Sequence, residues 1–273
     1  MKVGYRREGS GPPLVCHPGG PGFSSLYFGD LAGLGERVEL ILVDPRGTGA
    51  SPRPDDSRAY AVSDYVDDLE ELRAELGLEQ LDLLGHSHGG IVAMAYAAAH
   101  PARVRRLVLA STAPRFGAEQ EAAMTAAMEA RAGEPWYEDA RAALEAEQEG
   151  AFGTDEELRD LALREFPFYF ARFGEPERAY LETLREEVPN ADALLLFNRE
   201  IFPAFDLRPD LARIDAPTLV ITGEDDFITG PFGTDEIAAA IPGSEPVILP
   251  DTGHFIFVEA RERFREEVAR WLA

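Results

Sequence analysis

Short, nearly continuous apolar runs recur along the chain at 13–16, 38–43, 81–84, 104–109, 218–221 and 246–249. Each has the length of a strand, and the lack of apolar–polar alternation predicts strands covered on both faces. Between these runs the apolar positions shift to a spacing of three and four. Val66, Leu69, Leu72 and Leu76 follow Ser63 in this way, which predicts a helix over 63–75 capped by Ser63. Further helical patterns cover 90–99, 235–240 and 260–272, and residues 1–8 read as an opening strand. Strands alternating with helices predict an α/β fold, a mostly parallel sheet wrapped by helices.

Residues 113–213 break the rhythm. They hold no convincing strand but several Ala/Glu/Arg windows of helical period, such as 138–149 and 154–165. They also carry Trp136, Phe166, Phe168, Tyr169, Phe170, Phe173, Phe202 and Phe205. The expected organisation is a sheet core formed by 1–112 and 214–273, with 113–213 inserted as a helical lid. Its aromatic residues would form the lid's own core and in part line a pocket beneath it.

Charge narrows the class of partner. The chain carries 50 acidic and 26 basic residues, a net charge of −24. Nucleic-acid binding relies on Lys and Arg, so no nucleic-acid partner is expected. The excess is concentrated in 113–212, which holds 23 acidic and 10 basic residues. Solvated helix faces account for this, as would a field that attracts amine-bearing substrates. No apolar run approaches the roughly 18 residues of a membrane span, and no membrane partner is expected. The first eight residues are too polar for a signal peptide, so a cytoplasmic protein is the simplest expectation. The single cysteine, Cys16, excludes an internal disulfide and a multi-cysteine metal site. Nothing in the sequence calls for a metal or an organic cofactor.

Gly85-His86-Ser87-His88-Gly89 fits the G-x-S-x-G nucleophile elbow. The bare pattern would arise by chance in roughly one chain in ten of this length. Here a predicted strand ends at the motif and a predicted helix begins after it, which is the context the elbow requires. A serine hydroxyl needs a base, and the base needs a third group to orient it. Of five histidines, only His254 follows both the insertion and the last strand, in Asp251-Thr252-Gly253-His254-Phe255. The expected chain order is Ser, acid, His. After the strand at 218–221, three adjacent acids compete for the middle role: Glu224, Asp225 and Asp226. The loop His17-Pro18-Gly19-Gly20-Pro21-Gly22 leaves the strand at 13–16 almost free of side chains. Its Gly20 N–H and the N–H of His88 are the expected oxyanion donors.

These motifs, together with Asp44-Pro45-Arg46-Gly47-Thr48-Gly49-Ala50-Ser51, resemble the α/β-hydrolase superfamily. The Gly-Gly-Pro-Gly and D-P-R-G-x-G-x-S pieces resemble in particular the proline iminopeptidases, serine enzymes that remove an N-terminal proline. The similarity spans about 12–112 and 215–270 and is weak across 113–213. It implies Asp226 as the acid, three residues after Gly223, with Asp225 as the fallback. Pro18 separates His17 from the two glycines, and His88 stands where that family carries an aromatic residue after the serine. In that family acidic lid residues hold the substrate's amine, and Glu200 is the candidate here by loose similarity. The expected function is therefore a serine hydrolase acting through an acyl-enzyme on a small molecule or short peptide. An aminopeptidase releasing N-terminal proline or a small apolar residue leads. A hydrolase of small esters or lactones is the alternative, and a non-catalytic receptor on the same fold is remote because no triad member is missing.

Overall fold

The structure, a computed structural model, describes residues 2–273. Seven strands form one sheet: β1 (Gly4–Gly9), β2 (Pro13–His17), β3 (Glu39–Asp44), β4 (Leu81–His86), β5 (Val104–Ala110), β6 (Thr218–Gly223) and β7 (Glu245–Leu249). Their order is β1-β3-β2-β4-β5-β6-β7. Only β1 is antiparallel to its neighbour; all other pairings are parallel. The chain thus forms the expected α/β sheet, with each apolar run lying inside a strand.

Strand alternation explains why these runs are mostly apolar on both faces, with polar residues such as Glu39, Asp82, Arg105 and Arg106 confined to the first few positions. Leu14, Cys16, Leu40, Leu42, Leu84, Val108 and Leu219 point to one face and pack against Phe257, Phe264 and Val268. Val15, Ile41, Val43, Leu83, Leu107 and Val220 point to the other and meet Tyr65, Leu69, Val92, Tyr96 and Ile237. Both faces are covered by helices, so both sets must be apolar.

The first helix spans Val62–Glu75, and here the expected cap is corrected. Ser63 lies inside the helix; Ala61 stands at the cap, and its N–H donates to the Asp64 carboxylate at 2.9 Å. The D-P-R-G motif is explained by the same region. Buried Arg46 pairs with buried Asp68 at 2.7 Å and donates to the carbonyls of Ala59 and Asp64, tying the loop after β3 to this helix. The helix expected at 235–240 begins earlier, at Gly230; the one expected at 260–272 spans Arg261–Leu272 and follows a short helical turn at Ile256–Glu259.

Between β5 and β6 the chain is helical: Ala118–Glu129, Tyr137–Glu149, Asp155–Glu165, Glu175–Thr183 and Ala191–Leu196. A single bridge, Arg115 to Asp206, joins the two ends of this excursion. Among the described residues no helix is long and apolar enough to cross a membrane. Because β2, β4, β5 and β6 run parallel, the loops leaving them gather at one edge of the sheet, where open α/β sheets bind ligands.

Candidate active site

Ser87 sits between β4 and the helix His88–Ala99 at φ +56, ψ −121, a conformation few residues other than glycine adopt. Its neighbours hold it there. The Ser87 N–H donates to the Ala110 carbonyl at 3.0 Å, and the Ser87 carbonyl accepts from Gly90 N–H and from the Thr112 hydroxyl. The two motif glycines are required by close approach. A Cβ on Gly85 would lie 2.2 Å from the Gly89 carbonyl oxygen, and one on Gly89 would lie 2.2 Å from that of His17. The elbow thus packs strand, helix and the Gly-rich loop at distances that no larger residue permits.

His254 and Asp226 meet behind this turn. His254 Nδ1 lies 2.9 Å from Asp226 Oδ2, with both side chains buried. A carboxylate only accepts, so Nδ1–H is the donor of this pair, and whenever the ring is neutral the lone pair is left on Nε2, the form a general base needs. Asp226 also accepts from the N–H groups of Ile228 and Thr229 and from the Thr229 hydroxyl. Burial alone would raise its carboxyl, but the His254 charge and these hydrogen bonds hold it well below the usual carboxylate range. Glu224 and Asp225, by contrast, are exposed. The backbone N–H of Asp225 donates to Thr252, and the turn then carries Asp226 inward.

His86 fixes the base from the other side. Its Nε2 donates to the His254 carbonyl at 2.9 Å, so its Nδ1 must accept from the Tyr27 hydroxyl at 2.6 Å. Burial, reinforced by the nearby His254, lowers His86 to about 3, and the ring is neutral.

Ser87, His254, Gly20 and His88 line one cavity of about 540 Å³. Its walls are mostly apolar and rich in aromatic rings. Phe23, Tyr27, Phe227 and Phe255 come from the sheet domain, and Phe116, Phe166, Tyr169, Phe197, Phe202 and Phe205 from the helical excursion. Of the aromatic residues expected to line a pocket, Phe166, Tyr169, Phe202 and Phe205 do so. Trp136 and Phe168 pack instead with Tyr137 beside Phe227. Gly20, at φ +110, belongs to the loop that passes Ser87 so closely that a Cβ on Gly19 would lie 2.9 Å from the Ser87 Cβ. As first residue of its helix, His88 has an N–H without an intrahelical acceptor.

Glu200 is corrected. It is exposed and pairs with exposed Arg58 at 3.0 Å, and it is not among the cavity residues. The reason is local. Residues Phe197–Ile201 form a wide π turn closed by Phe202 N–H on the Phe197 carbonyl, which brings Phe197, Asn198 and Phe202 to the cavity. The acids on the cavity wall are Glu121, Glu147 and Glu165. Glu165 is 1% exposed and accepts from Tyr169 Oη at 3.4 Å; beside it, Glu147 accepts from Asn198 Nδ2 at 3.1 Å. Burial and then the charge of Glu147 raise Glu165 well above the ordinary range, and burial raises Glu147, so both carboxyls are shifted towards their protonated form. Their signal in the sequence is an acid within an apolar stripe: Leu158, Ala162, Glu165 on one helix and Ala140, Leu144, Glu147 on another.

The His88 side chain is buried against Tyr65 and Phe197, and its Nε2 has no hydrogen-bond partner among the described residues. Burial, then the neighbouring His17, lowers it to about 3. Below its ordinary value near 6.5 the unfolded chain takes up a proton that the folded chain refuses, so this stabilising contribution is present above about pH 6.5 and is lost as pH falls towards 3. His88→Phe removes the effect. Relative to the variant, the parent is expected to lose about 2 kcal/mol between about pH 6.5 and about pH 4.5, the slope approaching about 1.4 kcal/mol per unit at the lower end. Urea unfolding of both proteins across this range measures the difference, and a gap that does not change with pH refutes the assignment.

The profile of the alpha/beta hydrolase fold family matches residues 12–260. A proline iminopeptidase of Pestalotiopsis fici is 30% identical over 256 residues, 92% of this chain and 88% of that protein. One of Lacticaseibacillus rhamnosus is 27% identical over 274 residues, 96% and 89% of the two chains. Among solved structures, the enol-lactonase of Burkholderia xenovorans superposes with a TM-score of 0.74 at 27% identity, covering 99% of this chain and 96% of that one. The chain belongs to the α/β hydrolase fold family and is a hydrolase whose relatives in sequence include proline iminopeptidases.

Proposed function

We propose that this hydrolase is a serine aminopeptidase releasing N-terminal proline or a small apolar residue, with residues 113–213 as a lid over the site. Ser87 Oγ attacks the carbonyl carbon while His254 Nε2 takes its proton, and Asp226 stabilises the imidazolium. The N–H groups of Gly20 and His88 receive the oxyanion, each donor being worth about 3–4 kcal/mol of barrier. Collapse breaks the C–N bond as His254 returns its proton to the leaving amine, and water then hydrolyses the acyl-enzyme by the same route.

The observation that carries the aminopeptidase reading is the Glu147–Glu165 pair in the wall of the cavity that Ser87 lines. A free N-terminal ammonium would favour the ionised form of both carboxyls and use them as acceptors; an ester without an amine would not. Relatives described as proline iminopeptidases support it. A second reading, hydrolysis of lactones or small esters, is favoured by the largely apolar wall and by the likeness to an enol-lactonase.

The test is a panel of chromogenic amino-acid amides, short-chain esters and lactones, run with the parent, Glu147→Gln and Glu165→Gln. The expected result is proline-amide cleavage by the parent, with KM raised about tenfold or more in each variant as one charge-assisted contact is lost. Any ester cleavage should be little affected. Since the pair binds an ammonium best when deprotonated, KM for the amide should also fall as pH rises. Ester or lactone turnover without amide turnover selects the second reading.

A further inference from the structure

The loop that carries Gly20 is not held in place by its own residues alone. Asn190, which lies in the excursion between β5 and β6, is fully buried and donates its backbone N–H to the Gly22 carbonyl at 2.8 Å. Its Nδ2 donates to the Gly47 carbonyl at 3.2 Å and to the Tyr60 hydroxyl at 2.8 Å. Three residues earlier, buried Glu187 accepts the Ser24 N–H at 2.9 Å and the Ser24 hydroxyl at 2.8 Å.

The same contacts account for two motif glycines that the chemistry does not otherwise use. A Cβ on Gly22, at φ +97, would lie 2.7 Å from the Asn190 carbonyl oxygen, and one on Gly47, at φ +74, 2.1 Å from Asn190 Nδ2. The Gly-Gly-Pro-Gly loop and the D-P-R-G-x-G loop therefore both need glycine where Asn190 is received. On its other side Asn190 caps the helix Ala191–Leu196 through Ala193 N–H. That helix leads to Leu194, Phe197 and Asn198 on the cavity wall.

We infer that Glu187 and Asn190 are positioning residues for the reaction: from the insertion they fix the main chain of residues 22–24 and so aim the Gly20 N–H at the oxyanion. This rests on Gly20 being an oxyanion donor, as proposed above. A donor must stand at hydrogen-bond distance from where charge develops, and a displacement of about 1 Å in such a site can cost about a hundredfold. The ground-state carbonyl makes less use of the donor, so the loss falls on kcat more than on KM.

The experiment compares Glu187→Ala, Glu187→Gln and Asn190→Ala with the parent and with Ser87→Ala, using the best substrate of the panel. Inhibition by phenylboronic acid, which adds Ser87 Oγ to boron and places an oxygen in the oxyanion site, is measured alongside. Glu187→Ala and Asn190→Ala are expected to lower kcat about 10- to 100-fold, with KM within about threefold of the parent. Boronate affinity should fall in step with kcat. Glu187→Gln, which keeps an acceptor for the Ser24 N–H, should recover most of both. If Asn190→Ala does not fold, the Glu187 pair carries the same comparison. Unchanged kcat and boronate affinity in folded variants, or equal losses in kcat and substrate binding without rescue by Gln, overturn the inference. Activity surviving in Ser87→Ala overturns the underlying catalytic reading as well, whereas its loss alongside unchanged Glu187 and Asn190 variants overturns only the positioning role.

Discussion

Replacing Ser87 by alanine is expected to lower kcat about a millionfold, the scale on which serine hydrolases lose their nucleophile. The covalent route ends with the hydroxyl, because no other side chain occupies the turn. What survives is water attack assisted by the oxyanion donors, worth roughly 10³–10⁴ over solution. The fold should remain intact. Alanine at φ +56 carries the same backbone strain as serine, and the hydrogen bonds that hold the turn are made by the main chain of residue 87. Thermal unfolding of the variant should therefore match that of the parent, and a fluorophosphonate that labels the parent should leave the variant untouched. A folded variant that keeps a few per cent of the parent's turnover would remove Ser87 from the reaction.

The sheet was legible because its central strands are buried on both faces and so read as nearly continuous apolar runs. The elbow was legible because steric demand leaves a mark: Gly85 and Gly89 stand where backbone approaches backbone, and no other residue fits. Features set by the direction of a turn left weaker marks. The helix Gly230–Ala240 starts with Gly230-Pro231-Phe232-Gly233, which reads as a breaker, although proline suits a first helical turn. Glu200 rested on loose similarity alone; in the structure it lies on the exposed side of the π turn at Phe197–Ile201, and nothing in residue type announces such a turn. Glu147 and Glu165 were readable as acids interrupting an apolar stripe, yet in an insertion so rich in acids each looked like one more solvated charge. Asn190 left only an unremarkable helix cap. Its partners, Gly22 and Gly47, lie more than a hundred positions away in the chain, and only the folded chain shows what their missing side chains make room for.

The sequence also left three neighbouring acids open, and a pair of substitutions separates the two aspartates by the largest margin after Ser87. Asp226→Asn should lower kcat by about 10⁴, whereas Asp225→Asn should leave it within about twofold of the parent. Asn and Asp have the same shape, so the amide would fill the same buried space; what changes is the direction of a proton. An amide that keeps its oxygen towards the N–H groups of Ile228 and Thr229 turns its NH₂ towards His254 Nδ1, which must then accept. The ring's one proton moves to Nε2, and the base faces the serine with its lone pair already used. The stabilising charge behind the imidazolium is lost at the same time. Because Asp226 is held well below the usual carboxylate range, it stays ionised throughout the working range of pH, so its contribution to the parent should not appear as a titration in the rate profile. In Asp226→Asn, raising the pH should restore part of the rate, since hydroxide can take up some of the work of the disabled base. Asp225 is exposed and joined to its neighbours through its backbone N–H, which the substitution leaves in place. Equal losses in the two variants, or a larger one at Asp225, would show that the acid behind His254 has been misassigned.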